Sequence, residues 1–201
     1  MPISINKRFR SFLPVIVDIE TGGFNADKDA MLEIAFVFVN YTSANKLDIF
    51  DTMHFHVEPF PGANLDHSSL EFTGIDPSHP FRFAVKEFDA LSKAFDMINQ
   101  QVAVNNCTRA VLVGHNPNFD LSFLLAAVKR CKLFKQNPFH KFTTLDTATM
   151  GALLFRQTVL SRAVRAANIS FDEAQAHSAL YDATKTAEFF CECINRCDKA
   201  W

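Results

Sequence analysis

Asp18 and Glu20 stand two residues apart in Pro14–Gly23 (PVIVDIETGG), an apolar stretch that reads as a buried strand running into a turn. Side chains alternate faces along a strand, so Val15, Val17 and Ile19 share one face while Ile16, Asp18 and Glu20 share the other. Two carboxylates on one face of an apolar strand repel each other unless a cation neutralises them, and a divalent metal is the simplest such cation. Asp-x-Glu at a strand end is also a common way into a solvated loop, so the metal reading needs further ligands from elsewhere in the chain. Asp120 and Asp182 supply them, each expected near the start of a helix, where free amides and the helix dipole favour an anion. His177 precedes Asp182 by five residues, a spacing that does not share a helix face, so the imidazole is expected to project from the preceding loop. If the ends of strands one and four and two helix starts meet on one rim of a sheet, four carboxylates and one histidine face a common point. Oxygen donors in that number suit Mg²⁺ or Mn²⁺ rather than Zn²⁺. Two such ions, roughly 3.5–4 Å apart, clamp the attacking and leaving oxygens of a phosphodiester, and a neutral imidazole beside them accepts the proton of the attacking water.

The elements that must position these groups follow from the periodicity. Met31–Val39 is almost continuous in apolar strand formers and predicts a strand covered on both faces. After a hairpin connection over Asn40–Lys46, Phe50–Val57 alternates, with Met53, Phe55 and Val57 on one face and Thr52, His54 and His56 on the other. The two histidines are able to chelate a metal, but no third ligand is in view, and a structural role is favoured. Glu58–Pro80, rich in turn formers, reads as a long excursion without a regular element. Val85, Phe88, Leu91, Phe95, Ile98 and Val102 fall at helical spacing. Ala110–Val113 is a short strand that ends at Gly114-His115-Asn116-Pro117-Asn118-Phe119-Asp120, before a helix marked by Leu121, Leu124, Leu125 and Val128. Phe142–Leu145 reads as a further strand, with Asp146 placed to cap the next helix; Gln157–Ala167 is a small helix, and Leu180 to about Cys197 the last one. Strands first, then strands alternating with helices, imply an α/β domain with about five strands and helices on both faces, a single domain over 1–201.

Composition bounds the possibilities. With 201 residues, 48% of them hydrophobic, the chain is long enough for one well-buried core and short for two. A net charge of −2 does not suit a general nucleic-acid binder, so any such role must come from local clusters: Lys7-Arg8-Phe9-Arg10, then Lys129, Arg130, Lys132 and Lys135, then Arg156, Arg162 and Arg165. Each cluster by itself also reads as a solvated face. Five cysteines without zinc-type pairing point to free cytosolic thiols, and no apolar run approaches a membrane span, so a cytoplasmic protein is expected. The 22 phenylalanines, against 2 tyrosines and 1 tryptophan, must mostly be core, but Phe24, Phe72, Phe119 and Phe142 lie beside the acids in Gly- or Asn-containing turns.

Asp18-Ile19-Glu20, Gly114–Asp120 and His177–Asp182 together resemble the three motifs of the DEDDh branch of the DnaQ-like 3′→5′ exonucleases. GFNA (Gly23–Ala26), HFHVEPF.GANL (His54–Leu65), GIDP (Gly74–Pro77), NPFHKF (Asn137–Phe142), QTVLS (Gln157–Ser161) and AQAHSALYDAT (Ala174–Thr184) extend the resemblance, within that branch, to the ribonuclease T family over nearly the whole chain. The resemblance implies a ribonuclease H-like mixed sheet. It further implies a homodimeric exoribonuclease that trims single-stranded 3′ tails of stable RNA precursors, including tRNA, releases nucleoside 5′-monophosphates and also degrades single-stranded DNA. Under it, Asp18, Glu20, Asp120 and Asp182 hold two Mg²⁺ ions, for which Mn²⁺ substitutes, and His177 is the general base. Phe24, Phe72, Phe119 and Phe142 stack the last bases, with Glu71 a candidate for base discrimination. Arg8, Arg10, Arg109 and Lys135 fall where a basic patch reaches across the dimer. Ala103 stands where a lysine is expected, which bears on precursor binding and not on the catalytic set. A proofreading-type DNA exonuclease or an oligoribonuclease, which share the acids, and a non-catalytic nucleic-acid-binding module on the same fold remain as alternatives.

Overall fold

The structure, a computed structural model, describes residues 3–200. A short helix α1 (Ile5–Arg8) leads into β1 (Phe12–Thr21), β2 (Met31–Tyr41) and β3 (Leu47–His56). Next come α2 (His67–Thr73), a 3₁₀ turn at Pro80–Arg82, α3 (Glu87–Val104), β4 (Arg109–Gly114), α4 (Asn118–Arg130) and β5 (Phe139–Asp146). The chain closes with α5 (Thr147–Phe155), α6 (Leu160–Ala166) and α7 (Ala179–Ala200). The five strands form one mixed sheet in the order β3-β2-β1-β4-β5. Consecutive β1, β2 and β3 are antiparallel, and β4 and β5 join β1 in parallel through helical crossovers. Among the described residues no helix is long and apolar enough to cross a membrane.

Burial follows the sequence pattern. Met31–Val39 is buried throughout, as a strand sandwiched between helical layers must be, and its one ionisable residue is Glu33. On one face of the sheet, Phe95 of α3 packs on Phe139 of β5, which stacks on Phe36 of β2, and α4 lies beside α3 against β1 and β5. On the other face lies α7. Asn195 locks it to the edge of the sheet by accepting from the Leu47 amide at 2.8 Å and donating to the Leu47 carbonyl at 2.9 Å. All five cysteines are free, and burial pushes the Cys191 and Cys193 thiols up to about 12, so both are inert apolar filling.

Most expected elements are present with shifted ends; β3 begins at Leu47 and β5 at Phe139, each earlier than the apolar run suggests. One expectation fails. Glu58–Pro80 holds a helix, α2, whose amide ends are met by the Asp66 carboxylate, accepting from Ser69 N at 3.0 Å, and whose C-cap is Gly74 at φ 69°.

Candidate active site at the C-terminal edge of the sheet

The acids of β1 behave as the alternation predicts. Asp18 lies opposite Ala35 and Glu20 opposite Glu33, on the sheet face covered by α7. The register slips between Glu20 and Thr21, an irregularity that ends the pairing where the acids need room. Asp120 sits in the first turn of α4 and accepts from the Ile19 amide at 3.0 Å, which ties that helix start to the strand between the two β1 acids. Asp182 lies in the first turn of α7. Its Oδ2 accepts from the His177 amide at 2.9 Å, and this bond holds His177 in a left-handed conformation at φ 67° outside the helix. One ligand atom each from Glu20, His177 and Asp182 lies within 4.8 Å of the others.

The electrostatics of this group are those of a cluster that wants a cation. Burial first, then repulsion from Asp120, Glu20, Asp182 and Glu33, drives the Asp18 carboxyl well above the carboxylate range. Glu20 is pushed up to about 8 by burial and by Asp182, Glu33 and Asp120. Asp120 rises to about 7 on burial, in spite of the amides of Asp120 and Ile19 that favour its charged form, and Asp182 is raised by burial as well. Asp182 Oδ1 is buried with no hydrogen-bond partner. An orphaned acceptor among four mutually repelling acids fits hard divalent ions.

Beside the acids, Ile19, Glu20, Thr21, Phe24, Ser68, Ser69, Phe72, Thr73 and Phe119 line a cavity of about 350 Å³. Phe24 is 85% and Phe72 66% exposed, which is costly for phenylalanine unless something else covers them. The turn carrying Phe24 requires Gly23, at φ 155°, because a Cβ there would meet Asp29 Oδ2 at 2.1 Å. Phe72 belongs to α2 and its ring lies 4.2 Å from that of His177. Phe119 is in the first turn of α4, not in a loop, and is half-buried against Phe123 with its ring 6.2 Å from Phe24. Glu71, beside Phe72, is exposed and 3.8 Å from His67. Sequence reading missed Ser68, Ser69 and Thr73, although Asp66 and Gly74 bracket a capped helix that would have placed them.

The remaining expected residues are not brought to this cavity. Phe142 is exposed on the edge strand β5, next to His140 and in the irregular stretch between the rungs to Ala110 and Leu112. Arg10, over the Phe12 ring, Arg109 and Lys135 precede or open β1, β4 and β5. Phe12 and Glu20 are eight residues apart on one strand, roughly 26 Å at the strand rise. Arg8 lies nearby but is paired with Asp198 at 2.7 Å. His115, within the second motif, is structural: its ring nitrogens meet Thr147 Oγ1 at 3.0 Å and the Thr158 carbonyl at 2.8 Å.

Residues 15–190 match a protein family described as "Exonuclease". The ribonuclease T of Photorhabdus laumondii is 52% identical to this chain over 97% of its length and 89% of the relative's, and that of Vibrio cholerae is 50% identical over 96% and 87%. Among solved structures, E. coli exonuclease I in complex with a dT13 oligonucleotide superposes with a TM-score of 0.71 at 15% identity, covering 94% of this chain and 42% of that one. A 3′-exonuclease that recognises the histone mRNA stem-loop gives 0.70 at 17%, covering 91% and 63%. At such identities the structural matches establish the fold, and the sequence relatives establish the family. The exonuclease family is one that uses divalent metal ions, in keeping with the acidic cluster. With matches across nearly its whole length, this chain belongs to the ribonuclease T family of 3′→5′ exoribonucleases.

Proposed function

We propose that the protein is a Mg²⁺-dependent enzyme that trims single-stranded 3′ tails from stable structured RNAs such as tRNA precursors, acts on single-stranded DNA as well, and works as a cytoplasmic homodimer. The observation that carries this reading is the meeting of Glu20, His177 and Asp182 beside a cavity into which three phenylalanines open. Phe24, Phe72 and Phe119 offer flat apolar faces that hold unpaired bases irrespective of sequence, and a duplex cannot present bases in that way. Asp18, Glu20, Asp120 and Asp182 would hold the metal ions, with Mn²⁺ able to replace Mg²⁺. When bound, the ions supply Lewis-acid stabilisation of the charge that develops at the scissile phosphate. His177 takes a proton from the water that adds to phosphorus. The bond to the 3′ oxygen breaks, so the upstream chain leaves with its hydroxyl and the released nucleotide keeps the 5′-phosphate.

Within one protomer, Arg10, Arg109 and Lys135 lie at the wrong end of the strands to touch the same 3′ end. A dimer that places this edge of one protomer against the acidic edge of the other, with Arg8 at its margin, gives them a role on the upstream RNA. A 5′-labelled hairpin RNA with a single-stranded 3′ tail tests the whole reading. A ladder that shortens from the 3′ end with Mg²⁺, stops with EDTA and stalls near the duplex supports it. Equal preference for mismatched DNA ends, or for short oligomers alone, returns the enzyme to a proofreading or oligoribonuclease role.

A further inference from the structure

Glu33, His54 and His56 form a second group of ligating side chains, adjacent to the four acids, since Glu33 lies opposite Glu20, but composed of different atoms. His54 and His56 share one face of β3, and the antiparallel register supplies the third member that the sequence hid: Glu33 of β2 lies directly opposite His56, and Ala35 opposite His54. His56 Nδ1 is 2.9 Å from Glu33 Oε1, and His54 Nε2 is 3.4 Å from Glu33 Oε2. All three residues offer a ligand atom within 4.8 Å of the other two. Ligands held by one tetrahedral ion at about 2.0–2.2 Å sit roughly 3.3–3.5 Å from each other, so small side-chain rotations bring these three onto one ion. Despite its nearness to the carboxylate, His56 Nδ1 is buried and makes no hydrogen bond. Two imidazoles converge on the one buried carboxylate, and one ring nitrogen is left without a well-formed hydrogen bond that a metal ion would satisfy.

We propose that Glu33, His54 and His56 form a Zn²⁺-binding site. Two imidazoles and one carboxylate suit Zn²⁺ and its first-row neighbours, whereas the all-oxygen set of Asp18, Glu20, Asp120 and Asp182 suits Mg²⁺. Three protein ligands leave a fourth position open, and Glu33 and His56 line a cavity of about 520 Å³ from which that position is reached. The site is also tied to the catalytic edge, because Glu33 Oε2 accepts from the Ala179 amide at 3.3 Å, at the start of the helix that carries Asp182. An ion on Glu33 therefore braces β2, β3 and the first turn of α7 together.

The test separates the two sets of ligands by disabling one. In a Glu20→Gln, Asp182→Asn background, where the group made with His177 is lost, metal-stripped protein is titrated with Co²⁺ and then with Zn²⁺. The expected result is one Co²⁺ per chain with the visible bands of a tetrahedral site, displaced by one equivalent of Zn²⁺. In the same background His54→Ala and His56→Gln each weaken Zn²⁺ binding by at least about 100-fold, beyond the 10–100-fold typical of losing an outer partner. His56→Gln keeps size and polarity, and circular dichroism confirms that it is folded. Absence of the tetrahedral bands, or Zn²⁺ affinity unchanged by either histidine substitution, overturns the proposal and leaves the histidines as hydrogen-bonding and ionic partners of Glu33.

Discussion

Asp120 and Glu87 are buried to nearly the same degree, 5% and 6% exposed, and the chain treats them in opposite ways. Glu87 receives its own cation: Arg130 donates to both of its oxygens, at 3.0 and 2.7 Å, while also reaching the Ala26 carbonyl and lying 4.1 Å over the Phe60 ring. Asp120 receives amides, and the charged groups that face it are two more acids, Asp18 and Glu20. A buried carboxylate supplied with a guanidinium is part of the framework. One that is left among like charges has its counter-charge reserved for something that binds. The same distinction separates His115, saturated by Thr147 and Thr158, from His177, whose ring is exposed beside Phe72.

The largest expected effect comes from removing an acid on the unpaired side. Asp18→Ala withdraws a proposed ligand of ions that would supply several kcal/mol of transition-state stabilisation, so kcat on tailed RNA should drop by about 10³-fold or more with the protein still folded. Next, His177→Ala should lose about 10²–10⁴-fold in kcat with RNA affinity nearly unchanged, because it removes proton transfer and not a hold on the RNA. Parallel loss of binding and turnover would mark His177 as a structural residue like His115. On the paired side the readout is different: Arg130→Ala strands Glu87 and should cost about 3–5 kcal/mol in denaturant unfolding, with kcat of the folded fraction close to normal.

The pH dependence of stability sharpens the same contrast. Glu20 and Asp120 are raised from their ordinary 4.5 and 3.8 to about 8 and about 7, so the folded chain without metal binds their protons more tightly than the unfolded chain does. Their contribution is favourable below the ordinary values and is lost as pH climbs through the raised ones. Chelated protein should therefore show a Tm that falls as pH rises from about 4.5 to about 8, and Mg²⁺ should recover several degrees at the upper end. A flat profile, with or without Mg²⁺, would show that the acids are not in conflict.

How much of this was legible in the sequence depended on the distance over which each signal is written. Asp18 and Glu20 were legible because strand alternation is local, and Asp120 and Asp182 because helix starts are. Helix α2 was read as an excursion because seven residues are too few for a periodicity, and Phe72 is exposed instead of marking a buried stripe. Its caps, Asp66 and Gly74, were the available clue. Glu33 was invisible as a partner of His54 and His56 because pairing across a sheet joins residues more than twenty positions apart in the chain. Phe142 was grouped with the other phenylalanines as lying in an Asn-containing turn and by resemblance, while the structure sets it within β5, in the irregular stretch between the rungs to Ala110 and Leu112 and next to His140.

The smallest effects are expected from the phenylalanines, where the two edges can be compared directly. Phe72→Ala should weaken binding of a single-stranded 3′ end by about 1–3 kcal/mol, because one base loses its stacking face in the cavity next to Glu20. Phe142→Ala should do so only through the proposed dimer, since in its own protomer the ring lies next to His140 and lines no part of that cavity. Mixed dimers decide this. When Asp18→Ala and Phe142→Ala are placed in different protomers, the one intact acidic site keeps the partner's phenylalanine, and its KM should match the native enzyme. When both substitutions sit in the same protomer, the intact acidic site faces the damaged edge, and KM should rise. Identical KM values for the two arrangements would mean that each site uses only its own chain, and that the basic edge of the sheet serves something other than the RNA being trimmed.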